Sequence, residues 1–116
     1  MPGPLSNAHD IPDVITRYFD LDSSRDIDGI VALFTEDATV VDEGVTRRGL
    51  PAIRAWQTGP ASEYQYSTTV TGAERPGEDQ YRVIGRLDGN FPGGTATLKW
   101  DFAVDGNRIS RLEIAP

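Results

Sequence analysis

The chain has 116 residues, a formal net charge of −7 and 38% hydrophobic residues, which suits one globular domain with its own core. The excess of acidic residues disfavours binding to nucleic acid or to anionic membranes, because such binding depends on lysine and arginine. The absence of cysteine excludes disulfides and thiolate metal sites, and the single histidine, His9, argues against a histidine-based metal centre.

The N-terminal segment is rich in proline and glycine. It predicts a flexible stretch over residues 1–9, followed by a single domain over residues 10–116. The segment lacks the basic region and apolar run of a secretory signal, and no part of the chain has the roughly 20 apolar residues of a membrane span. We therefore expect a cytoplasmic protein that has no membrane partner.

Two amphipathic helices are predicted in the first third of the chain. The first begins near Asp10, tolerates Pro12 in its first turn, and has an apolar stripe at helical spacing: Ile11, Val14, Ile15, Tyr18 and Phe19. Residues 22–25 interrupt this spacing and predict a short link. The second helix has Asp26 as its N-cap and a stripe formed by Ile27, Ile30, Val31 and Phe34.

A short strand over residues 38–41 is predicted to carry an acid, Asp42, to a turn at Glu43-Gly44. Extended or irregular chain follows, and Pro51 marks the start of a third helix that ends near Trp56. A helix that leads into a strand ending in a lone acid can hold a general base at the rim of a cavity. An acid at such a position can equally cap a turn through backbone amides, so both interpretations stay open.

The second half of the chain predicts strands. Runs rich in β-branched and aromatic residues cover residues 64–73, 80–88, 95–104 and 108–114, with a turn at residues 76–79 and a hairpin signal at Asp105-Gly106. Three helices followed by a meander of four strands predict an α+β domain in which a bent, mainly antiparallel sheet wraps over helices.

The segment over residues 26–42, DIDGIVALFTEDATVVD, resembles the bacterial ketosteroid isomerases, as do Arg17-Tyr18 before it and GLPAIR over residues 49–54 after it. More broadly, the chain resembles the nuclear-transport-factor-2-like, or SnoaL-like, superfamily. This resemblance implies a cone-shaped fold in which three N-terminal helices pack in a highly curved sheet around an apolar pocket. It also implies a small apolar ligand, no cofactor, no metal, and a homodimer formed through the convex sheet face.

The resemblance assigns Asp42 as the catalytic base that moves a proton and Tyr18 as the hydrogen-bond donor to the developing enolate oxygen. Tyr18 also suits an ordinary packed core tyrosine. Two positions depart from the isomerase pattern, since Trp100 replaces the second oxyanion acid and Gln57 replaces a supporting tyrosine. An indole N–H can donate a hydrogen bond, but it does not offer the short, strong bond of a buried acid.

Strand alternation predicts the pocket wall, because residues two apart share a face of the sheet. If Trp100 faces the cavity, Leu98, Phe102 and Val104 do so too, and Lys99 and Asp101 point away. On the facing strand, residues 83, 85 and 87 form the inward set. The expected ligand-binding residues are Phe34, Val40, Trp56, Val83, Leu87, Leu98, Trp100 and Phe102.

Three functions follow from these patterns. The leading hypothesis is proton transfer next to a carbonyl of a steroid or polyketide-like ligand, which makes the chain a cofactor-independent isomerase. The second is a non-catalytic ligand-binding or dimerisation module in which Trp100 fills the cone. The third is epoxide hydrolysis, because Arg86-Leu-Asp88 has the spacing of a motif in limonene epoxide hydrolases; its register, however, places the pair on the outer face as a surface ion pair.

Overall fold

The computed structural model describes residues 4–5 and 11–116 of the chain. Its helices are α1 (Asp13–Ser24), α2 (Ile27–Val31), α3 (Leu50–Thr58) and a short 3-10 helix (Pro60–Ser62). Its strands are β1 (Pro4–Leu5), β2 (Phe34–Asp42), β3 (Val45–Arg48), β4 (Tyr66–Gly77), β5 (Gln80–Gly89), β6 (Thr95–Asp105) and β7 (Arg108–Ala115). The strands form one sheet in the order β1-β4-β5-β6-β7-β2-β3, which bears out the α+β class.

The sheet is antiparallel except where β2 runs parallel to β7. Its register shifts at irregularities in the β2–β7, β4–β5 and β6–β7 pairs, and such bulges bend a strand and increase its twist. One face of the bent sheet packs on the helices, as α1 contacts β4 and β7 and α3 contacts β2.

Helix α1 begins and ends later than the sequence predicted. It begins at Asp13, because Pro12 is extended and stands as its N-cap; Asp10 itself lies outside the described residues. At the other end, residues 22–24, which were predicted to form a link, are helical. The helix ends at Arg25, which is left-handed (φ 59°) and whose backbone N–H donates to the Asp22 carbonyl, while the Asp26 N–H donates to Leu21. The Arg25 side chain fixes this cap by donating to the Tyr64 carbonyl at 2.6 Å.

The second helix is shorter than predicted, and the strand after it is longer. Asp26 caps α2 as expected, because its Oδ1 accepts from the Gly29 N–H at 2.9 Å. Phe34, however, is the first residue of β2 and not the last of a helix. The reason is tertiary pairing, since Phe34 lies opposite Ile109 of β7 and the Ile109 N–H donates to the carbonyl of Leu33.

Three further boundaries differ from the sequence analysis. Residues 45–48 form a regular strand that pairs with β2 across the Glu43-Gly44 turn. The turn expected at residues 76–79 is confined to residues 78–79, because β4 continues to Gly77. Within the segment expected to be flexible, Pro4 and Leu5 pair with β4; residues 1–3 and 6–10 lie outside the described part.

The predicted alternation of β5 and β6 is confirmed. Val83 lies opposite Trp100 and Gly85 opposite Leu98 on the inner face of the sheet, while Arg82 and Asp101 form an ion pair on the outer face. Gly85 matters for this packing, because a Cβ at that position would lie 3.1 Å from the Trp100 ring. The indole therefore rests directly on the backbone of β5.

The core lies between the helices and the inner face of the sheet. Its fully buried large side chains come from α1, α2, α3 and strands β2, β5 and β7: Ile15, Ile30, Phe34, Val40, Ile53, Val83, Ile109 and Leu112. None of the helices in the described residues is long and apolar enough to cross a membrane.

Candidate functional site

A cavity of about 320 Å³ opens where the C-terminal half of α1, the end of α3 and the 3-10 helix face the sheet. Six aromatic side chains dominate its wall: Tyr18, Trp56, Tyr64, Tyr66, Phe91 and Trp100. Aliphatic groups complete it, among them Leu87, Leu98 and Ile114. Three carboxylates, Asp22, Asp42 and Glu43, also lie in the wall, and the described lining residues include no lysine, arginine or histidine. A mainly apolar pocket with a few convergent polar groups is typical of a small-molecule site.

Asp42 reaches this cavity from the last position of β2. A two-residue turn follows it, in which Glu43 (φ 54°) and Gly44 (φ 75°) are both left-handed, as in a type I′ hairpin turn. The indole Nε1 of Trp56 donates to Asp42 Oδ2 at 3.0 Å. This bond, from helix α3 to strand β2, fixes the orientation of the carboxylate at the pocket wall.

Tyr18 enters the same cavity from α1 and is 2% exposed. Its ring meets Phe34 and Phe102 edge-on, with centroids 6.4 and 5.5 Å away. Burial raises the pKa of the Tyr18 phenol well above 10, and the nearby carboxylates of Asp22 and Asp42 raise it further. The phenol is therefore a neutral hydrogen-bond donor at physiological pH.

Asp22 is a second acid in the wall, one helical turn after Tyr18. The hydroxyl of Tyr66 donates to Asp22 Oδ2 at 3.2 Å, which joins α1 to the start of β4. Burial raises the pKa of Asp22, opposed by the Tyr66 hydrogen bond and the charge of Arg25. Burial and the Asp22 charge likewise raise the pKa of Tyr66. The Arg25 guanidinium lies over the Tyr66 ring, 5.1 Å from its centroid.

The structure places half of the expected ligand-binding residues at the cavity. Four residues of the predicted set line the cavity: Trp56, Leu87, Leu98 and Trp100. The other four, Phe34, Val40, Val83 and Phe102, do not line it and are packed in the core, each at most 2% exposed. Phe34, Val40 and Phe102 lie where α1 covers the sheet, so the space in front of Phe102 is filled by the rings of Tyr18 and Phe19. Val83 is instead the buried neighbour of Trp100 on β5.

The sequence analysis missed Asp22 and Tyr66 as site residues. Asp22 was assigned to a link, so its position four residues after Tyr18, on the same helical face, was overlooked; that spacing was the available signal. Tyr66 begins β4 opposite Gly89, and a Cβ at position 89 would lie 2.7 Å from the Tyr66 Cβ. Side chains from loops, such as Phe91, follow no strand alternation and left no signal of this kind.

Two further features concern epoxide hydrolysis and metal binding. The Arg86–Asp88 pair is a 3.0 Å ion pair between exposed side chains, as predicted, and neither residue lines the cavity. Within the described residues, no group of three histidine, aspartate, glutamate or cysteine side chains is arranged to hold a metal ion.

The model of the SnoaL-like domain family matches residues 15–110 of the chain. No curated protein matches the sequence. Among solved structures, a "putative polyketide cyclase" from Sinorhizobium meliloti is 34% identical to this chain. The match covers 94% of this chain and 99% of that protein, with a TM-score of 0.86.

Two more distant structures show the same fold. A protein from Catenulispora acidiphila with a ketosteroid isomerase-like fold, in complex with trimethylamine, is 20% identical over 90% of this chain and 85% of its own, with a TM-score of 0.79. A second "putative polyketide cyclase", from a Silicibacter species, is 21% identical over 89% of this chain and 85% of its own, with a TM-score of 0.74. Because the family model spans most of the chain and the 34% identical structure covers it almost end to end, the chain belongs to the SnoaL-like family of the nuclear-transport-factor-2-like superfamily.

Proposed function

We propose that the protein catalyses proton transfer next to a carbonyl of an apolar, steroid- or polyketide-like ligand, with Asp42 as general base and Tyr18 as oxyanion donor. The observation that carries the proposal is that a carboxylate and a neutral phenol, delivered by β2 and α1, line the same apolar cavity. A positioned base and a donor to the developing oxyanion are the two groups that such a reaction needs.

In the proposed reaction, Asp42 removes a proton from the carbon beside the carbonyl. The electron pair of the broken C–H bond forms the enolate, whose oxygen accepts a hydrogen bond from the Tyr18 hydroxyl. The raised pKa of Tyr18 keeps this donor protonated while negative charge develops beside it. The carboxylic acid of Asp42 then returns the proton to another carbon, which completes an isomerisation without a cofactor.

A ring closure can begin with the same proton abstraction. The enolate carbon attacks a second carbonyl of the same molecule, a carbon–carbon bond forms, and the new alkoxide takes the proton back from Asp42. The description of the 34% identical structure as a "putative polyketide cyclase" supports a polyketide-like ligand over a steroid. Both reactions use the Trp56 hydrogen bond in the same way, to hold one oxygen of Asp42 while the carboxylate receives the proton.

The decisive experiment is Asp42→Asn, assayed with a β,γ-unsaturated ketone whose isomerisation produces a conjugated enone absorbance. We expect turnover to fall by about 10²- to 10⁴-fold, the usual contribution of a general base. Glu43→Gln is the matched control, because it neutralises the adjacent carboxylate of the same wall and should retain most of the activity. Equal turnover in Asp42→Asn and the wild type would remove the catalytic assignment.

A non-catalytic binding module is the second candidate. It is favoured by Trp100, which lies at the position of the second oxyanion acid, lines the cavity and is 4% exposed. The enone assay distinguishes the two candidates. A binding module binds apolar ketones without converting them, in the wild type as in Asp42→Asn.

A homodimer through the convex sheet face, in the cytoplasm, is the remaining proposal. The outer face of β5–β7 carries paired charges, including Arg82–Asp101 at 2.7 Å and Arg111–Glu113 at 3.2 Å. Native mass spectrometry tests the dimer directly: a mass corresponding to a single chain at micromolar concentration would contradict it.

A further inference from the structure

Gln57 is a buried amide that faces the candidate site. It follows Trp56 on α3, lines the cavity and is 2% exposed. Its Nε2 has no hydrogen-bond partner among the described residues. An amide donor buried without a partner costs stability, so the ligand-free chain is less stable with this side chain than with an apolar one of the same shape.

The helix does not need this amide to maintain its own structure. The end of α3 is secured through the Gln57 backbone, whose carbonyl accepts a hydrogen bond from the Ser62 hydroxyl. Two other polar pairs of the wall are already engaged, since the Trp56 indole donates to Asp42 and the Tyr66 hydroxyl donates to Asp22. Gln57 therefore has an unused donor, Nε2, on a side chain that lines the cavity.

The charges of the wall restrict what this donor can meet. Asp22, Asp42 and Glu43 lie in the wall, and no cationic side chain lines it among the described residues. A carboxylate or phosphate on the ligand would be repelled by these acids and would find no counter-ion. An uncharged oxygen, such as that of a ketone, a lactone or a quinone, can accept from Nε2 without this penalty.

We propose that Gln57 is a specificity-determining residue that donates a hydrogen bond from Nε2 to an uncharged acceptor oxygen of the ligand. The inference rests on the proposed function for the location of the ligand, but not on catalysis by Asp42. The pocket thereby distinguishes uncharged carbonyl compounds from carboxylates and from bare hydrocarbons of the same size.

Three probes with the same ring system test this selectivity: 2-acetylnaphthalene, naphthalene and 2-naphthoate. Binding can be followed by tryptophan fluorescence, because both tryptophans of the chain, Trp56 and Trp100, line the cavity. For the wild type we expect the ketone to bind most tightly and the carboxylate most weakly. In Gln57→Met, which keeps the length of the side chain, we expect ketone affinity to fall about 3- to 10-fold with naphthalene unaffected.

The stability of the ligand-free protein is an independent measurement, and it should rise in the variant whose ketone affinity falls. Gln57→Met should raise the midpoint of denaturant unfolding of the ligand-free protein, whereas a glutamine with a structural role would lower it when replaced. Gln80→Met, at an exposed position on β5, is the matched control and should change neither ketone affinity nor stability. Gln57→Leu, which is also apolar, repeats the test if methionine packs poorly.

Unchanged ketone affinity in Gln57→Met, an equal loss for all three probes, or a lowered unfolding midpoint would each overturn the inference. These outcomes are separate from a failure of the proposed reaction. That failure is decided by turnover in Asp42→Asn, whereas the present test measures binding and stability alone.

Discussion

The two ends of the inner face of β6 carry similar residues in different surroundings. Phe102 is 2% exposed and lies against the rings of Tyr18 and Phe19. Leu98, four residues earlier on the same face, lines the open cavity and is only partly buried. Strand alternation directs both side chains inwards, but the length and position of α1 decide which of them contacts core and which contacts a ligand.

The same contrast separates polar from apolar chemistry. The closed end of the sheet contains aliphatic and aromatic side chains, such as Val40, Phe102 and Leu112, which lie side by side on neighbouring strands. The open end gathers Asp42 and Gln57 with partly buried apolar groups. The cavity lies where the helices leave the sheet uncovered. Polar side chains are tolerated there because water or a ligand can reach them, whereas they are costly in the closed core.

The largest effect is expected at the closed end. Phe102→Ala removes a ring from a site that the neighbouring rings cannot refill, and we expect the free energy of unfolding to fall by about 3–5 kcal/mol. Urea denaturation followed by circular dichroism measures the change. A loss below about 1 kcal/mol would mean that the side chains at this end of the sheet border open space, as those at the other end do.

Leu98→Ala tests the open end with the analogous truncation. Because Leu98 already borders a cavity, the substitution enlarges existing space, and we expect a loss of only about 1 kcal/mol. The same urea titration gives the comparison, and it should be accompanied by weaker binding of apolar ketones. A cost equal to that of Phe102→Ala would contradict the distinction between the two ends.

Features that depend on local sequence could be predicted, whereas features that depend on distant parts of the chain could not. The α+β class, the inward set of β5 and β6 and the Asp26 cap were predictable, because they depend on local periodicity and side-chain chemistry. The start of β2 at Phe34 was not, because it depends on pairing with a strand 75 residues later in the chain. Asp22 escaped prediction because an arginine in a left-handed cap ends α1 where glycine is the usual signal.

A smaller effect on stability and a sharper effect on function are expected for Trp56→Phe. The variant keeps a ring in the wall but removes the N–H that Asp42 Oδ2 accepts at 3.0 Å. We expect a loss of about 1 kcal/mol in stability, because Asp42 is only partly buried and water can replace the donor. Turnover should fall about tenfold as the carboxylate loses its fixed orientation, which the enone assay measures. Unchanged turnover would show that this hydrogen bond does not position the base.

Asp22→Asn makes the smallest change, and its effect should depend on pH. Burial raises the folded-state pKa of Asp22 above its ordinary value of 3.8, so the folded state favours the protonated acid. The associated stability is fully present below pH 3.8 and is lost as the pH rises through the folded pKa. Asparagine resembles the protonated form and keeps an oxygen that can accept from Tyr66.

We therefore expect Asp22→Asn to be at least as stable as the wild type at pH 7, with the difference shrinking as the pH falls towards 3.8. Urea unfolding at a series of pH values measures this difference. Asp20→Asn, an exposed substitution on the same helix, controls for the general effect of removing one negative charge. If both variants follow the same pH dependence, burial at the open end is not what perturbs Asp22, and this end of the sheet is more hydrated than its partly buried wall suggests.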